Sequence, residues 1–282
     1  MDEDQFFRVT SAQEACELLS RYGSKARLMA GGTDLMVWVN EREVSPEVLI
    51  YLGNSGLDYI KIEGQNLIIG AATPYTEILE ADLVEEKAPL LKEAVSHLAS
   101  PAIRNVGTIG GNLGTASPAA DSATALLALG AGVKLVSKGS ERVVSIDDFF
   151  TGPGETVCGA EEMIQEVIIP VQVQTAGWGY QKLGKRRAQS ISIVSVAVYC
   201  PMQERRCHDV RIALGAVAPT PLLAKEAASR LEGNALVGQV IEDAAQAAAD
   251  ATDPIDDVRS TAWYRRKATQ ALVKKLLTEI AV

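Results

Sequence analysis

Met29-Ala30-Gly31-Gly32-Thr33-Asp34-Leu35-Met36 and Thr108-Ile109-Gly110-Gly111-Asn112, the second running on to Ala116-Ser117-Pro118-Ala119-Ala120-Asp121, carry the Gly-Gly steps of this chain. A Gly-Gly step turns the backbone without Cβ hindrance and lets neighbouring peptide N–H groups converge on one anion. A single such step is most often only a turn. Here both follow short apolar runs, both are flanked by small hydroxyl or amide side chains, and the second leads to a Ser-Pro and an aspartate able to bind sugar hydroxyls. Together they read as a cradle for a nucleotide diphosphate. There is no Gly-x-x-x-x-Gly-Lys-Ser/Thr, and neither segment has the Gly-x-Gly-x-x-Gly spacing of a dinucleotide turn.

Working outward from the first segment, Ser11-Ala12-Gln13-Glu14 has capping-box spacing, and Ala12, Ala15, Leu18, Leu19 and Tyr22 continue at helical intervals to Gly23. Residues 27–30 read as a strand feeding the first Gly-Gly, and 48–52 as another, so the first cradle sits at a strand end of a small α/β unit. Residues 59–62 and 67–70 flank the polar turn Glu63-Gly64-Gln65-Asn66 and predict a β-hairpin. Leu90, Leu91, Ala94, Val95 and Leu98 predict a helix that Pro101 closes. Strands follow around 133–136 and 163–169. The polar stretch 171–179 predicts a domain boundary. Beyond it, 191–199 and 210–217 are β-rich, and helices are expected at 222–231, 235–251 and 261–280. In the last, Arg265, Arg266, Lys274 and Lys275 read as a solvated face.

The 282 residues suggest two units, and 47% hydrophobic content with only 5% aromatics means packing on Ala, Leu, Val and Ile. A formal charge of −9 argues against nucleic acid or an anionic membrane as the main partner. No apolar run approaches the ~20 residues of a membrane span, so no direct membrane insertion is expected. The acidic start, Met1-Asp2-Glu3-Asp4, lacks the features of a secretory signal, which predicts a cytoplasmic location. Cys16, Cys158, Cys200 and Cys207 are scattered and read as reduced thiols. His97 and His208 are the only histidines, so neither a His-centred acid/base site nor a metal site is expected.

With both cradles in place, the chain resembles, over nearly its whole length, the FAD-binding medium subunit of the molybdenum hydroxylases, the family of xanthine dehydrogenase and the aerobic carbon monoxide dehydrogenases. Ala30 to Met36 resembles the first FAD loop, Ile69-Gly70-Ala71-Ala72-Thr73 the hairpin that follows, and the second Gly-Gly segment the second FAD loop. Leu214-Gly215-Ala216-Val217-Ala218-Pro219-Thr220-Pro221 is similar to the start of the C-terminal domain. Four such matches in order are specific. The resemblance implies an α+β fold: a small α/β subdomain at about 1–56 and a mainly antiparallel subdomain at 57–175 grip an extended, noncovalent FAD. A C-terminal domain, 176–282, follows with a three-stranded antiparallel sheet and helices.

By the same resemblance, Met29, Ala30, Gly31, Gly32, Thr33, Asp34, Leu35 and Met36, with Thr108, Ile109, Gly110, Gly111 and Asn112, surround the pyrophosphate and supply its backbone donors. Asp121 reaches hydroxyls of the FAD, and Leu98, Ile164 and Lys182 align with further contacts. On the residues alone, Asp121 also reads as a helix-terminal carboxylate, Leu98 and Ile164 as core, and Lys182 as one charge of the run Lys182, Lys185, Arg186 and Arg187. No clustered cysteines match the relatives that carry an inserted four-iron cluster. The implied function is an electron-transfer subunit without a catalytic side chain of its own. Its partners are an iron–sulfur small subunit with two-iron clusters and a large subunit with the molybdenum cofactor, in a heterotrimer or dimer of heterotrimers. NAD, a quinone or another species accepts the electrons. A basic contact through 185–187 is expected. Two alternatives are a self-sufficient FAD-dependent oxidase or dehydrogenase and a nucleotide-binding assembly protein.

Overall fold

A computed structural model describes residues 5–173, 175–186 and 189–281. The first unit is a parallel sheet of β1 (Gln5–Arg8), β2 (Ala26–Met29) and β3 (Val48–Tyr51) in the order β1-β3-β2, with helices α1 (Ala12–Tyr22) and α2 (Leu35–Asn40). Ser11 Oγ caps α1 by accepting from the Glu14 amide at 3.2 Å, and the Glu14 carboxylate returns to the Thr10 amide at 2.8 Å. Ala15, Cys16 and Leu19 of α1 join Val48 and Ile50 in a small core. Because β2 ends at Met29, the first Gly-Gly emerges at the carboxyl end of parallel strands, where open α/β sheets hold ligands.

The second unit is an antiparallel sheet built from β4 (Ile60–Glu63), β5 (Asn66–Gly70), β6 (Gly132–Ser137), β7 (Ser140–Ser145) and, after the small ribbon of β8 (Phe150–Gly152) and β9 (Glu155–Thr156), β10 (Met163–Pro170). Its order is β4-β5-β10-β6-β7. Six helices run between β5 and β6: α3 (Tyr75–Glu80), α4 (Asp82–Lys87), α5 (Pro89–Ser96), α6 (Pro101–Arg104), α7 (Ile109–Thr115) and α8 (Asp121–Leu129). The hairpin lies where the sequence predicts it. Pro101 does more than end a helix: it opens α6, capped by Ser100 Oγ on the Ile103 amide at 3.3 Å, because a missing N–H is tolerated in a first turn.

The third unit consists of β11 (Gly177–Leu183), β12 (Val194–Cys200), the small hairpin β13 (Met202–Gln203) and β14 (Arg206–Cys207), β15 (Arg211–Gly215), β16 (Leu222–Leu223), and helices α9 (Lys225–Leu231), α10 (Gly238–Asp250) and α11 (Ala262–Ile280). The sheet order is β11-β12-β15-β16. To the three long antiparallel strands the structure adds a two-residue edge strand at Leu222, where the sequence suggests that a helix begins; α9 starts at Lys225 instead. Cys200 and Cys207, brought together across the small hairpin, are buried free thiols with their sulfurs 3.4 Å apart.

Every residue of α8 is buried. A helix apolar on all sides must be covered on all sides. α5 packs on it from the second unit and β12 and β15 from the third, so α8 lies in a core that the second unit shares with Tyr180, Ala197, Tyr199 and Ala213 of the third. Leu127→Ala should therefore cost about 2–5 kcal/mol, and urea unfolding followed by circular dichroism should shift as one transition. Two separated transitions would show that α8 does not couple the units.

Candidate functional site

The units enclose a cleft of about 1250 Å³, larger than the roughly 300–1,000 Å³ of most small-molecule sites. All the residues singled out in the sequence line it except Met36 and Ile109. Ile109 is fully buried in the core, and Met36 lies behind the first loop, its Cγ 3.2 Å from where a Cβ on Gly32 would be. Leu98 and Ile164, read as either core or contact, are core residues at the cleft wall.

The two Gly-Gly segments form one continuous cradle. A Cβ on Gly31 would lie 1.8 Å from Val106 O, so only glycine lets the first loop touch the backbone leading into the second. Gly32 has φ +68°, a conformation that L side chains avoid. Thr115 Oγ1 donates to Asp34 Oδ2 at 3.1 Å across the junction. Among the described residues, the amides of Gly31, Gly32 and Thr33 have no acceptor within the chain.

The second loop differs from expectation. The amides of Ile109, Gly110, Gly111 and Asn112 donate to Thr73 O (3.2 Å), Ala71 O (2.9 Å), Thr108 Oγ1 (3.1 Å) and Thr108 O (3.0 Å). These four are committed to capping α7 and to carbonyls just beyond β5, whereas the Thr108 amide has no acceptor among the described residues and joins the open donors of the first loop. The second contributes the positive end of α7 and the Asn112 amide, oriented because its Oδ1 accepts from Ser122 Oγ at 2.6 Å.

Farther along the cleft, Asp121 begins α8 and its carboxylate is already largely occupied. Oδ1 accepts from Tyr180 Oη (2.9 Å) and Ser192 Oγ (2.6 Å), and Oδ2 accepts from Lys182 Nζ (2.5 Å). Three of about four lone-pair sites are in use, which leaves about one for a ligand hydroxyl. Lys182 is no member of a solvated run; its side chain is 9% exposed, and Nζ also donates to His97 O at 3.2 Å. Tyr180 and Lys182 alternate along β11 and so face the same side, a signal that was legible but unread. Burial and the Asp121 charge push the Tyr180 hydroxyl well above its usual range, so it stays protonated. Burial also pushes the cleft thiol of Cys158 up to about 11, leaving it neutral at pH 7.

On the C-terminal side of the cleft the structure corrects the sequence reading of Arg265 as a solvated charge: it is 3% exposed and lines the cleft with Ala216 and Asp257. Lys185 and Arg186 of the expected basic contact donate to Val258 O and Gln189 O, and Arg187 lies outside the described residues.

A parallel α/β unit and an antiparallel sheet closing a diphosphate cradle, with a third, helix-backed sheet completing the cleft, define a flavoprotein fold rather than a nucleotide triphosphatase. Residues 2–172 match the family described as FAD binding domain in molybdopterin dehydrogenase, and 179–280 match the CO dehydrogenase flavoprotein C-terminal domain. The chain is 34% identical to the carbon monoxide dehydrogenase medium chain of Hydrogenophaga pseudoflava, covering 95% of this chain and 93% of that one. It is 32% identical to the glyceraldehyde dehydrogenase medium chain of Sulfolobus acidocaldarius, covering 99% of both. The structure matches that of carbon monoxide dehydrogenase from H. pseudoflava, in the form lacking the Mo-pyranopterin moiety, with a TM-score of 0.93 at 32% identity over 96% of this chain and 94% of that one. The chain belongs to the FAD-binding medium subunits of the molybdenum hydroxylases. It is thus an oxidoreductase subunit whose cofactor is FAD, and the open amides of the glycine cradle fit a diphosphate.

Two substitutions test this geometry. Gly32→Val places a β-branched residue at positive φ among the open amides, and the purified chain should fold yet lose its visible flavin absorbance; full flavin occupancy would remove the cradle from the site. Asp121→Ala leaves the buried Lys182 ammonium unpaired and should lower folding stability by about 3–5 kcal/mol, with Asp121→Asn/Lys182→Met recovering most of it. If urea titration gives additive losses for the two positions, the pair is not coupled.

Proposed function

We propose that this chain is the electron-relay subunit of a complex containing an iron–sulfur small subunit and a molybdenum-binding large subunit. Bound FAD would supply two-electron storage between the one-electron carriers of the two-iron clusters expected in the small subunit and an acceptor such as NAD or a quinone. The open amides at Gly31, Gly32 and Thr33 hold the diphosphate, and Leu98 and Ile164 give the flavin an apolar wall. Lys182, tied to Asp121, sets a fixed positive charge in that wall. The division at 175/176, with subdomains meeting near 56/57, follows from the same reading.

The observation that carries it is the composition of the cleft: open backbone donors at the glycine cradle, a buried Lys182–Asp121 pair farther along, and a neutral thiol at Cys158. That arrangement suits the binding and tuning of a cofactor. Among the described residues no helix is long and apolar enough to cross a membrane.

The FAD-loaded chain alone should not oxidise purines, aldehydes, N-heterocycles or carbon monoxide, yet once chemically reduced it should pass electrons to artificial dyes. Substrate turnover should appear when the iron–sulfur and molybdenum subunits are added. Stopped-flow bleaching of the flavin by an organic substrate with this chain alone would overturn the relay reading in favour of a self-sufficient flavoenzyme.

A further inference from the structure

Arg265 stands in the first turn of α11, where a cation is disfavoured by the helix dipole, and it is almost entirely buried. Its guanidinium has three acceptors in fixed places. NH1 donates to Ile193 O and Ala216 O, both at 2.7 Å, and NH2 to Asp257 Oδ1 at 2.8 Å. Asp257 is itself held by the amides of Arg259 (2.8 Å) and Ser260 (3.0 Å) and by the Arg259 guanidinium (2.7 Å). Nε is buried without a partner. A buried cation with an unsatisfied donor is poor evidence of selection for stability, so what it fixes matters more.

The two carbonyls lie at the points where the third unit reaches into the second Gly-Gly segment. Ala216 has φ +62°, strained for a side-chain-bearing residue, and its amide donates to Pro118 O at 2.8 Å. Ile193 is tied through its own amide to Leu183 O at 2.8 Å, which keeps the neighbouring Ser192 hydroxyl on Asp121. One side chain thus braces both anchor points.

We propose that Arg265 is a positioning residue of the FAD cleft: from the first turn of α11, at the cleft wall, it holds Ala216 and Ile193 so that residues 117–121, and with them the Asp121–Lys182 pair, sit where the flavin binds. It touches no reacting atom and acts through those two backbone points. The proposal rests on the cleft holding FAD, and its experiment separates the two.

The test uses the full chain with Arg265→Ala, Arg265→Lys and the milder Asp257→Asn. In the FAD-free protein, hydrogen exchange at the amides of 119–121, 192–193 and 216 should speed up in all three, most in Arg265→Ala. FAD affinity, titrated by flavin fluorescence, should fall about tenfold in Arg265→Ala if the competent arrangement drops to about a tenth of the population. Free guanidinium at sub-denaturing concentration should restore affinity and exchange protection to Arg265→Ala, whereas an equal concentration of methylammonium should not. A lowered thermal midpoint with unchanged FAD affinity and unchanged local exchange would reduce Arg265 to a structural residue and overturn the proposal. If Arg265→Ala does not fold, Asp257→Asn with wild-type exchange and affinity would overturn it equally. Failure of the wild-type chain to bind FAD would reject the cofactor reading, and the exchange pattern would still decide the positioning role.

Discussion

The absence of a side chain at Gly31 is the constraint on which the site depends. With Val106 O only 1.8 Å from where a Cβ would stand, the two loops close into one surface only if this backbone is bare. The interlock continues beyond that point. Gly110 stands over Ala71, its Cβ position 2.5 Å from the Ala71 Cβ, and the Tyr75 amide donates to Gly107 O at 3.0 Å. The first unit, the end of β5 and α7 are therefore locked together at the cradle. Glycine is required here first for packing, and the open amides of the anion site follow from the backbone approach that packing permits.

Two buried ion pairs carry this order along the cleft. Asp121 starts α8 as an anion at the positive end of a helix dipole, which favours it; Arg265, in the first turn of α11, is a cation near the same kind of end, which does not. Asp257 offsets the second by supplying a negative charge and a rigid acceptor. Breaking a buried pair costs more than the pair contributes to stability. Both pairs are better understood as fixing geometry than as raising the melting temperature.

Much of this architecture was legible in the sequence, because periodicity reports burial. The capping box before α1, the hairpin around Gly64 and the two glycine segments are local signals whose structural outcome local chemistry dictates. The short helices α2, α3, α4 and α6 span four to six residues, fewer than two turns, so no repeating hydrophobic pattern marks them. The committed amides of 109–112 were invisible for a different reason: their acceptors, Thr73 O and Ala71 O among them, arrive from β5 and its following turn, and sequence spacing carries no trace of that meeting. Arg265 reads as solvated in the sequence because, followed by Arg266 and Lys267, it has the same one-dimensional context whether it faces water or three buried acceptors. Leu98 and Ile164 stayed ambiguous since a residue at the edge of a core and one lining an apolar cavity have the same composition.

The complete burial of α8 bears on how this chain can be re-engineered. Its nine residues are covered partly by a sheet that comes much later in the chain, so a boundary drawn in the linker near 175 divides the polypeptide but not the packing. A fragment ending there would carry Leu126, Leu127 and Leu129 with one side stripped, an adhesive surface that invites self-association. Chimeras between relatives face the same arithmetic of shape. Exchanging only the third unit would set a foreign sheet against a native helix, so a working graft has to take residues 121–129 along with the strands that rest on them.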